Sequence, residues 1–239
     1  MVSNKIDFVY NDIQEGIKSA PGFIQLKQIL HQIEDANFYI AGGAIRNLIE
    51  KSQEELNDVD VFIHTKDKYD ELIKHLVTNL SKIGFLEFGQ YGSPRWYPNK
   101  EERFYYDIVP FSKFNVGLGT PQTIEETLLQ FDFTANAIAF DIFKPDIYNP
   151  VDGLNNIQNK VFKAVRFDFP DSIISEKIPL RRLTVLWFRF IHYASKLNYT
   201  IEKETLNWLS INSYRLNSLK LFETYFFKPL ISEKILKLL

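Results

Sequence analysis

The chain has no cysteine. That excludes a disulfide scaffold, a cysteine nucleophile and a thiolate zinc site, and it is compatible with a reducing compartment. A dominant charge sign is missing as well: 28 Lys and Arg stand against 30 Asp and Glu, a net charge of −2. A strongly basic protein that coats a polyanion is therefore excluded, although a local basic face is not. Long apolar runs are absent. The most apolar stretch, residues 183–194, is broken by Arg189 and His192 and is too short to span a bilayer. Residues 1–10 include Asn4, Lys5 and Asp7 and hold no signal-peptide run, so the expected location is the cytoplasm, with no membrane partner.

What is present is aromatic and apolar. Twenty-one Phe, 12 Tyr and 3 Trp sit in 239 residues that are 45% hydrophobic, enough to bury a core and to exclude global disorder. The length accommodates one large domain or two small ones. No repeat or low-complexity linker divides them.

Residues 22–36 carry Phe23, Ile24, Leu26, Ile29, Leu30 and Ile33 at helical spacing. Residues 38–41 read as a short buried strand running into Gly42-Gly43, and residues 44–55 as a helix with Ile45, Leu48 and Ile49 inward. Residues 58–63 alternate and read as a strand, and residues 68–83 as a second amphipathic helix. Residues 85–88 and 104–109 read as further strands, separated by a turn-rich stretch around Gly92-Ser93-Pro94 and Pro98-Asn99. From about Ile173 strand signals vanish and apolar residues recur at helical spacing to Leu239. The expectation is an α+β module over 1–165, a mixed sheet with flanking helices, followed by a helical segment over 166–239.

Three features carry chemistry. Gly42-Gly43-Ala44-Ile45-Arg46 stands between a strand and a helix, where glycines let backbone N–H groups approach an anion such as a triphosphate. Alone, the pattern fits plain turn chemistry as well. Asp58-Val59-Asp60 on a strand puts both carboxylates on one face, with Val59 and Val61 turned to the core. Such a pair suits a hard divalent cation like Mg²⁺, and it also fits a solvated strand end. Asp107, inside Phe104-Tyr105-Tyr106-Asp107-Ile108-Val109-Pro110, is a costly residue there unless paired or liganded. If its strand lies beside that of Asp58 and Asp60, three carboxylates meet, and two metal ions could orient a triphosphate and activate a hydroxyl.

These residues resemble a known family. Tyr39-Ile40-Ala41-Gly42-Gly43-Ala44-Ile45-Arg46 followed by Asp58-Val59-Asp60 is similar to the head signature of the poly(A) polymerase and CCA-adding tRNA nucleotidyltransferase family, the bacterial-type class of the polymerase β superfamily. Residues 132–141 (Asp-Phe-Thr-Ala-Asn-Ala-Ile-Ala-Phe-Asp), 149–154 and 159–161 resemble the stretch that closes its head. Residues 189–201 resemble its first neck helix. The resemblance implies a polymerase-β-like head with a partial neck, and transfer of a nucleoside monophosphate from a nucleoside triphosphate to a hydroxyl, usually an RNA 3′ end. It makes Asp58, Asp60 and Asp107 metal-holding and catalytic, with two Mg²⁺ ions. It makes Gly42, Gly43, Arg46, Asp132, Asn136, Arg181 and Arg189 nucleotide-binding.

The departures bear on the substrate. Two arginines usually precede the Asp-Phe-Thr block; here Gln130 and Phe131 stand there. The acid–aspartate–x–x–arginine base reader is missing. Setting it against Pro179-Leu180-Arg181 puts Lys177 and Ile178 in the acid positions, and counting back from Arg189 puts Arg182 and Leu183 there. Templated C-then-A addition is not supported. Asn47 replaces the usual aspartate after Arg46. Family members continue into body and tail domains, so the expected acceptor is held by a partner or a second copy, or is not a full tRNA.

Lys160, Lys163, Arg166, Lys177, Arg181, Arg182, Arg189 and Lys196 form a positive stretch that fits phosphate contacts or a solvated helix face equally. Tyr91, Arg95, Trp96 and Tyr97 could stack on a base or pack in a loop. His64 and His75 read as structural or surface residues, and His192 as core. Besides RNA extension, two functions remain open: nucleotidylation of a protein or small molecule, and a non-catalytic nucleotide- or RNA-binding module.

Overall fold

In the computed structural model, residues 2–239 are described except 53–54, 66–68, 90–91 and 115, with side chains described from Val9 onward. The chain forms two compact units. The first comprises Met1–Asn115, Thr120–Leu128 and Ile138–Pro150, and the second Val116–Gly119, Leu129–Ala137 and Val151–Leu239.

Strict alternation builds the first unit. Strand β1 (Ala36–Ala41) pairs antiparallel with β2 (Asp58–Thr65), whose other neighbour, in parallel, is β5 (Tyr105–Pro110). Strands β3 (Phe85–Phe88) and β4 (Pro94–Tyr97) extend the sheet beyond β5. Strands β6 (Ala139–Asp141) and β7 (Ile147–Tyr148) extend it beyond β1, giving the order β3-β4-β5-β2-β1-β6-β7. One face buries Val59, Val61, Trp96, Tyr106 and Ile108 completely or nearly so. This unit also holds α1 (Val2–Lys18), α2 (Phe23–Leu30), α3 (Gly43–Ile49), α4 (Tyr69–Leu80) and α5 (Ile124–Leu128). A Cβ on Gly16 of α1 would overlap Leu48 of α3, so that glycine is what lets the two helices touch. Trp96 donates to the Leu80 carbonyl at 3.1 Å and Tyr106 to the Pro21 carbonyl at 2.8 Å, which gives both buried polar tips a partner.

The opposite face is divided. Tyr39, Phe62, Phe111 and Phe114 close one half with ring contacts of 5.4–6.5 Å. The other half leaves Asp58, Asp60, Arg95, Tyr97, Tyr105 and Asp107 exposed or half-buried.

The second unit is organised on α7 (Arg182–Leu197), which buries eight residues from Thr184 to Ala194. Its shorter elements are α6 (Gly153–Gln158), α8 (Lys203–Ile211), α9 (Leu219–Tyr225) and α10 (Glu233–Leu236). Trp187 donates to the Leu209 carbonyl at 3.0 Å, and Phe188 stacks on Phe222 at 4.6 Å.

Several elements differ from the sequence reading. The stretch read as turns contains β4, because Pro94 and Trp96 face inward while Arg95 and Tyr97 face out. The segment after Ile173 is not purely helical: β9 (Ile173–Ser175) pairs with β10 (Ile178–Arg181), and β11 (Thr200–Ile201) with β8 (Val161–Phe162). Strands of two to four residues are too short to show a period. Helix α2 ends at Leu30 and α3 at Ile49, both earlier than their apolar spacing suggests. Lys68, the expected start of α4, lies outside the described residues, as does Tyr91. No helix among the described residues is long and apolar enough to cross a membrane.

Candidate active site

In the first unit the backbone brings the sequence-selected residues to one end of the sheet. Asp60 is the register partner of Ala41 on one side and of Asp107 on the other. Ala41 leads directly into Gly42, whose backbone (φ 87, ψ −145) lies in territory open essentially to glycine alone. Gly43 begins α3, and a Cβ there would meet the Arg46 guanidinium at ordinary van der Waals distance. Arg46 is 4% exposed, donates to Asn47 Oδ1 at 2.8 Å and lies 3.8 Å from Glu50. Asn47, where the family has an aspartate, thus serves as a neutral acceptor for the arginine.

Asp107 finds its partner across the other strand. Arg95 Nε donates to Asp107 Oδ2 at 3.2 Å, and the two residues are register partners on β4 and β5. Burial works against the Arg95 charge, but Tyr105, Asp107 and Tyr97 more than offset it and raise its pKa. Tyr105 is itself raised, first by burial and then by Asp58. The tyrosine therefore stays protonated beside the carboxylates.

Asp107 Oδ1 is buried without a hydrogen-bond partner. An orphaned carboxylate oxygen in a set of hard oxygen donors fits a cation such as Mg²⁺. Among the described residues, however, no three His, Cys, Asp or Glu side chains converge as a preformed metal cluster. The backbone register brings Asp60 and Asp107 side by side, and Asp58 lies two residues along β2.

The other sequence-selected residues lie in the second unit. Asp132 and Arg189 meet: Arg189 Nε and Nη2 both donate to Asp132 Oδ2, the first at 2.9 Å, while Asp132 Oδ1 accepts from the Phe133 N–H. Asn136 is buried in a 3-10 turn, Thr134–Asn136, whose Thr134 accepts from Asn156 Nδ2 at 3.1 Å. Arg181 is exposed and donates to the Asp171 carbonyl at 2.8 Å. Gln130 is 8% exposed; Nε2 donates to the Gly119 carbonyl at 3.1 Å and Oε1 is buried without a partner. Of the positive stretch, Arg166 pairs with Asp168, Arg181 with Asp171 and Arg189 with Asp132, so at least three of its eight charges are compensated locally.

Two groups escaped the sequence reading. In sequence Arg95 reads as a stacking residue, and nothing local shows that it holds Asp107. Asp171 and Arg215 form a half-buried latch at the start of α7, 44 positions apart in the chain. Trp96 packs in the core and is unavailable for stacking. His192 is half-buried, accepts from the Leu230 N–H at 2.9 Å, and has its pKa pushed down to about 4 by burial and then by Lys196 and Arg189.

The fold is shared with the CCA-adding enzymes. A CCA-adding enzyme solved with CTP superposes at a TM-score of 0.61 with 16% identity, over 87% of this chain and 47% of that one. A tRNA nucleotidyltransferase complexed with a primer tRNA and an incoming ATP analog gives 0.55 and 22%, over 82% of this chain and 51% of that one. The CCA-adding enzymes of Listeria innocua serovar 6a and Lactobacillus helveticus are 27% and 26% identical, over 77% of this chain and 44% and 43% of theirs. The chain thus spans less than half the length of these curated relatives. More narrowly, the chain belongs to the Gabija anti-defense 2 (Gad2) family, whose model matches residues 4–160.

Proposed function

We propose that the chain is a nucleotidyltransferase that moves a nucleoside monophosphate from a nucleoside triphosphate to a hydroxyl, most favourably at an RNA 3′ end. The observation that carries this reading is the register of Ala41, Asp60 and Asp107 beside the Gly42 turn. The likeness to CCA-adding enzymes supports it. In this reading residues 1–165 act as the nucleotidyltransferase head and 166–239 as a neck-like segment, working in the cytoplasm.

Asp58, Asp60 and Asp107 are the residues that would hold Mg²⁺, two ions in the full set. When bound, the metal supplies charge for the triphosphate and acidifies the acceptor hydroxyl. Arg95 fixes Asp107 at Oδ2, and Oδ1 has no hydrogen-bond partner among the described residues. The hydroxyl oxygen bonds to the α-phosphorus, the bond from that phosphorus to the bridging oxygen breaks, and pyrophosphate leaves with the electron pair. The hydroxyl proton leaves to solvent water, and Asp107 helps to activate the hydroxyl. Gly42, Gly43 and Arg46 would hold the triphosphate; Asp132, Asn136, Arg181 and Arg189 are the nucleotide-binding candidates of the second unit, taken by themselves. Lys177 and Ile178, or Arg182 and Leu183, stand at the acid positions of the base reader, so templated C-then-A addition is not supported.

The experiment is incubation with each labelled nucleoside triphosphate, Mg²⁺ and tRNA or short RNA. Label enters RNA with the native chain and falls more than about a hundredfold in Asp58→Ala/Asp60→Ala. Extension that persists in the double variant sinks the reading. The anti-defense description of the family favours a second reading, in which the hydroxyl belongs to a protein or small molecule and a second copy or partner protein presents it. Label on such an acceptor and none on RNA selects it.

A further inference from the structure

Two rows of side chains cross the open half of the sheet. Strand register links Asp60 to Asp107, Asp107 to Arg95 and Arg95 to Glu87, which makes a polar row. Beside it runs a second row from Asp58 to Tyr105, Tyr97 and Phe85. Ring centroids are 5.2 Å apart between Tyr105 and Tyr97 and 5.9 Å between Tyr97 and Phe85. The residues between them, Trp96 and Tyr106, point the other way and fill the core. The outer three rings therefore serve no core of their own, and Phe85 is 37% exposed on the sheet-edge strand.

Charge accompanies the rings. The Arg95 guanidinium lies 5.0 Å from the Tyr105 ring centre and the Lys100 ammonium 4.9 Å from that of Phe85. The Tyr97 hydroxyl donates to Glu87 Oε1 at 2.7 Å, which fixes that ring in place. Flat rings at strand spacing with cations beside them suit a ligand made of flat faces joined by phosphates. An aliphatic protein surface would find no aliphatic member in the row. The row starts at Asp58, so it is continuous with the carboxylates.

We propose that Tyr105, Tyr97 and Phe85 form a stacking row for the unpaired bases at the 3′ end of a single-stranded RNA, with Lys100 and Arg95 beside its phosphates. This rests on the RNA reading above and adds where the acceptor lies. Each ring contributes about tenfold to affinity, the lower part of the range for base–aromatic stacking.

The test is fluorescence anisotropy of the whole chain with a short fluorescein-labelled single-stranded RNA and no nucleoside triphosphate. Phe85→Ala and Tyr97→Ala each weaken binding about tenfold, and Tyr97→Phe restores it because the ring is kept. Phe85 is at an exposed edge, so its variant folds, and unchanged thermal melting confirms this. The row is overturned if the native chain binds no RNA, if both alanine variants bind within about twofold of the native chain, or if a blunt RNA duplex binds as tightly. Ring-dependent RNA binding with label transferred only to other acceptors sustains the row and overturns the RNA-extension reading. RNA extension with an unchanged KM for RNA in both alanine variants does the reverse.

Discussion

Replacing Asp171 with alanine unfastens the start of the long helix in the second unit. Asp171 Oδ2 accepts from Arg215 Nη2 at 3.0 Å, and Oδ1 accepts from the Leu183 N–H at 3.3 Å. Arg215 is 5% exposed and also donates to Thr184 Oγ1 at 2.9 Å and Asn212 Oδ1 at 3.1 Å. Removing one partner of a fully buried ion pair costs about 3–5 kcal/mol. Asp171 is 30% exposed and Arg215 keeps two neutral acceptors, so the expected loss is about 2–3 kcal/mol. Asp171→Asn keeps one acceptor oxygen but turns an NH2 toward the other donor, so it recovers only part of the loss. The assay is urea unfolding followed by tryptophan fluorescence, to which Trp187 and Trp208 of this unit contribute. Adding Arg215→Met to Asp171→Ala removes the stranded charge and recovers more than half of the loss. An Asp171→Ala stability within about 0.5 kcal/mol of the native chain refutes the reasoning, since that is the size of an ordinary surface change.

Two further outcomes follow from backbone and charge. Gly42→Ala forces a side chain into φ 87, ψ −145 and destabilises by about 1–3 kcal/mol, read from the urea midpoint; an unchanged midpoint contradicts it. The folded pKa of His192, about 4, lies below the ordinary 6.5, so the unfolded chain takes up this proton first as pH falls. Stability from this group is complete above pH 6.5 and is lost progressively toward pH 4. Because the ring is half-exposed, solvent screening limits the loss to about 1–2 kcal/mol. Urea titrations of the native chain and His192→Asn across that window show the difference, and parallel curves exclude it.

The β2 strand was legible because alternation there is strict: Val59 and Val61 are fully buried while Asp58 and Asp60 are not. The glycine pair was legible for the same local reason, since a strand running into a helix needs a residue that tolerates positive φ. β4 was hidden because four residues between Gly92 and Pro98 resemble a turn, and their inward members include a proline. The Arg95–Asp107 pair could not be read from spacing, since only the sheet order joins two strands that are themselves separated by a loop. The same holds for Asp171 and Arg215. In the second unit, apolar spacing revealed the helices, but strands of two to four residues leave no periodic trace.

The side-by-side placement of Asp60 and Asp107 has a consequence for insertions and deletions. Each carboxylate alternates with a fully buried neighbour, Val61 and Ile108. A single residue added or removed within β5 that shifted its pairing would carry Asp107 into the core and turn Ile108 outward. Such a change would strip the site and bury an uncompensated charge in one event. Loops at the far ends of these strands can vary in length, whereas the strands themselves cannot gain or lose one residue and keep either chemistry or fold.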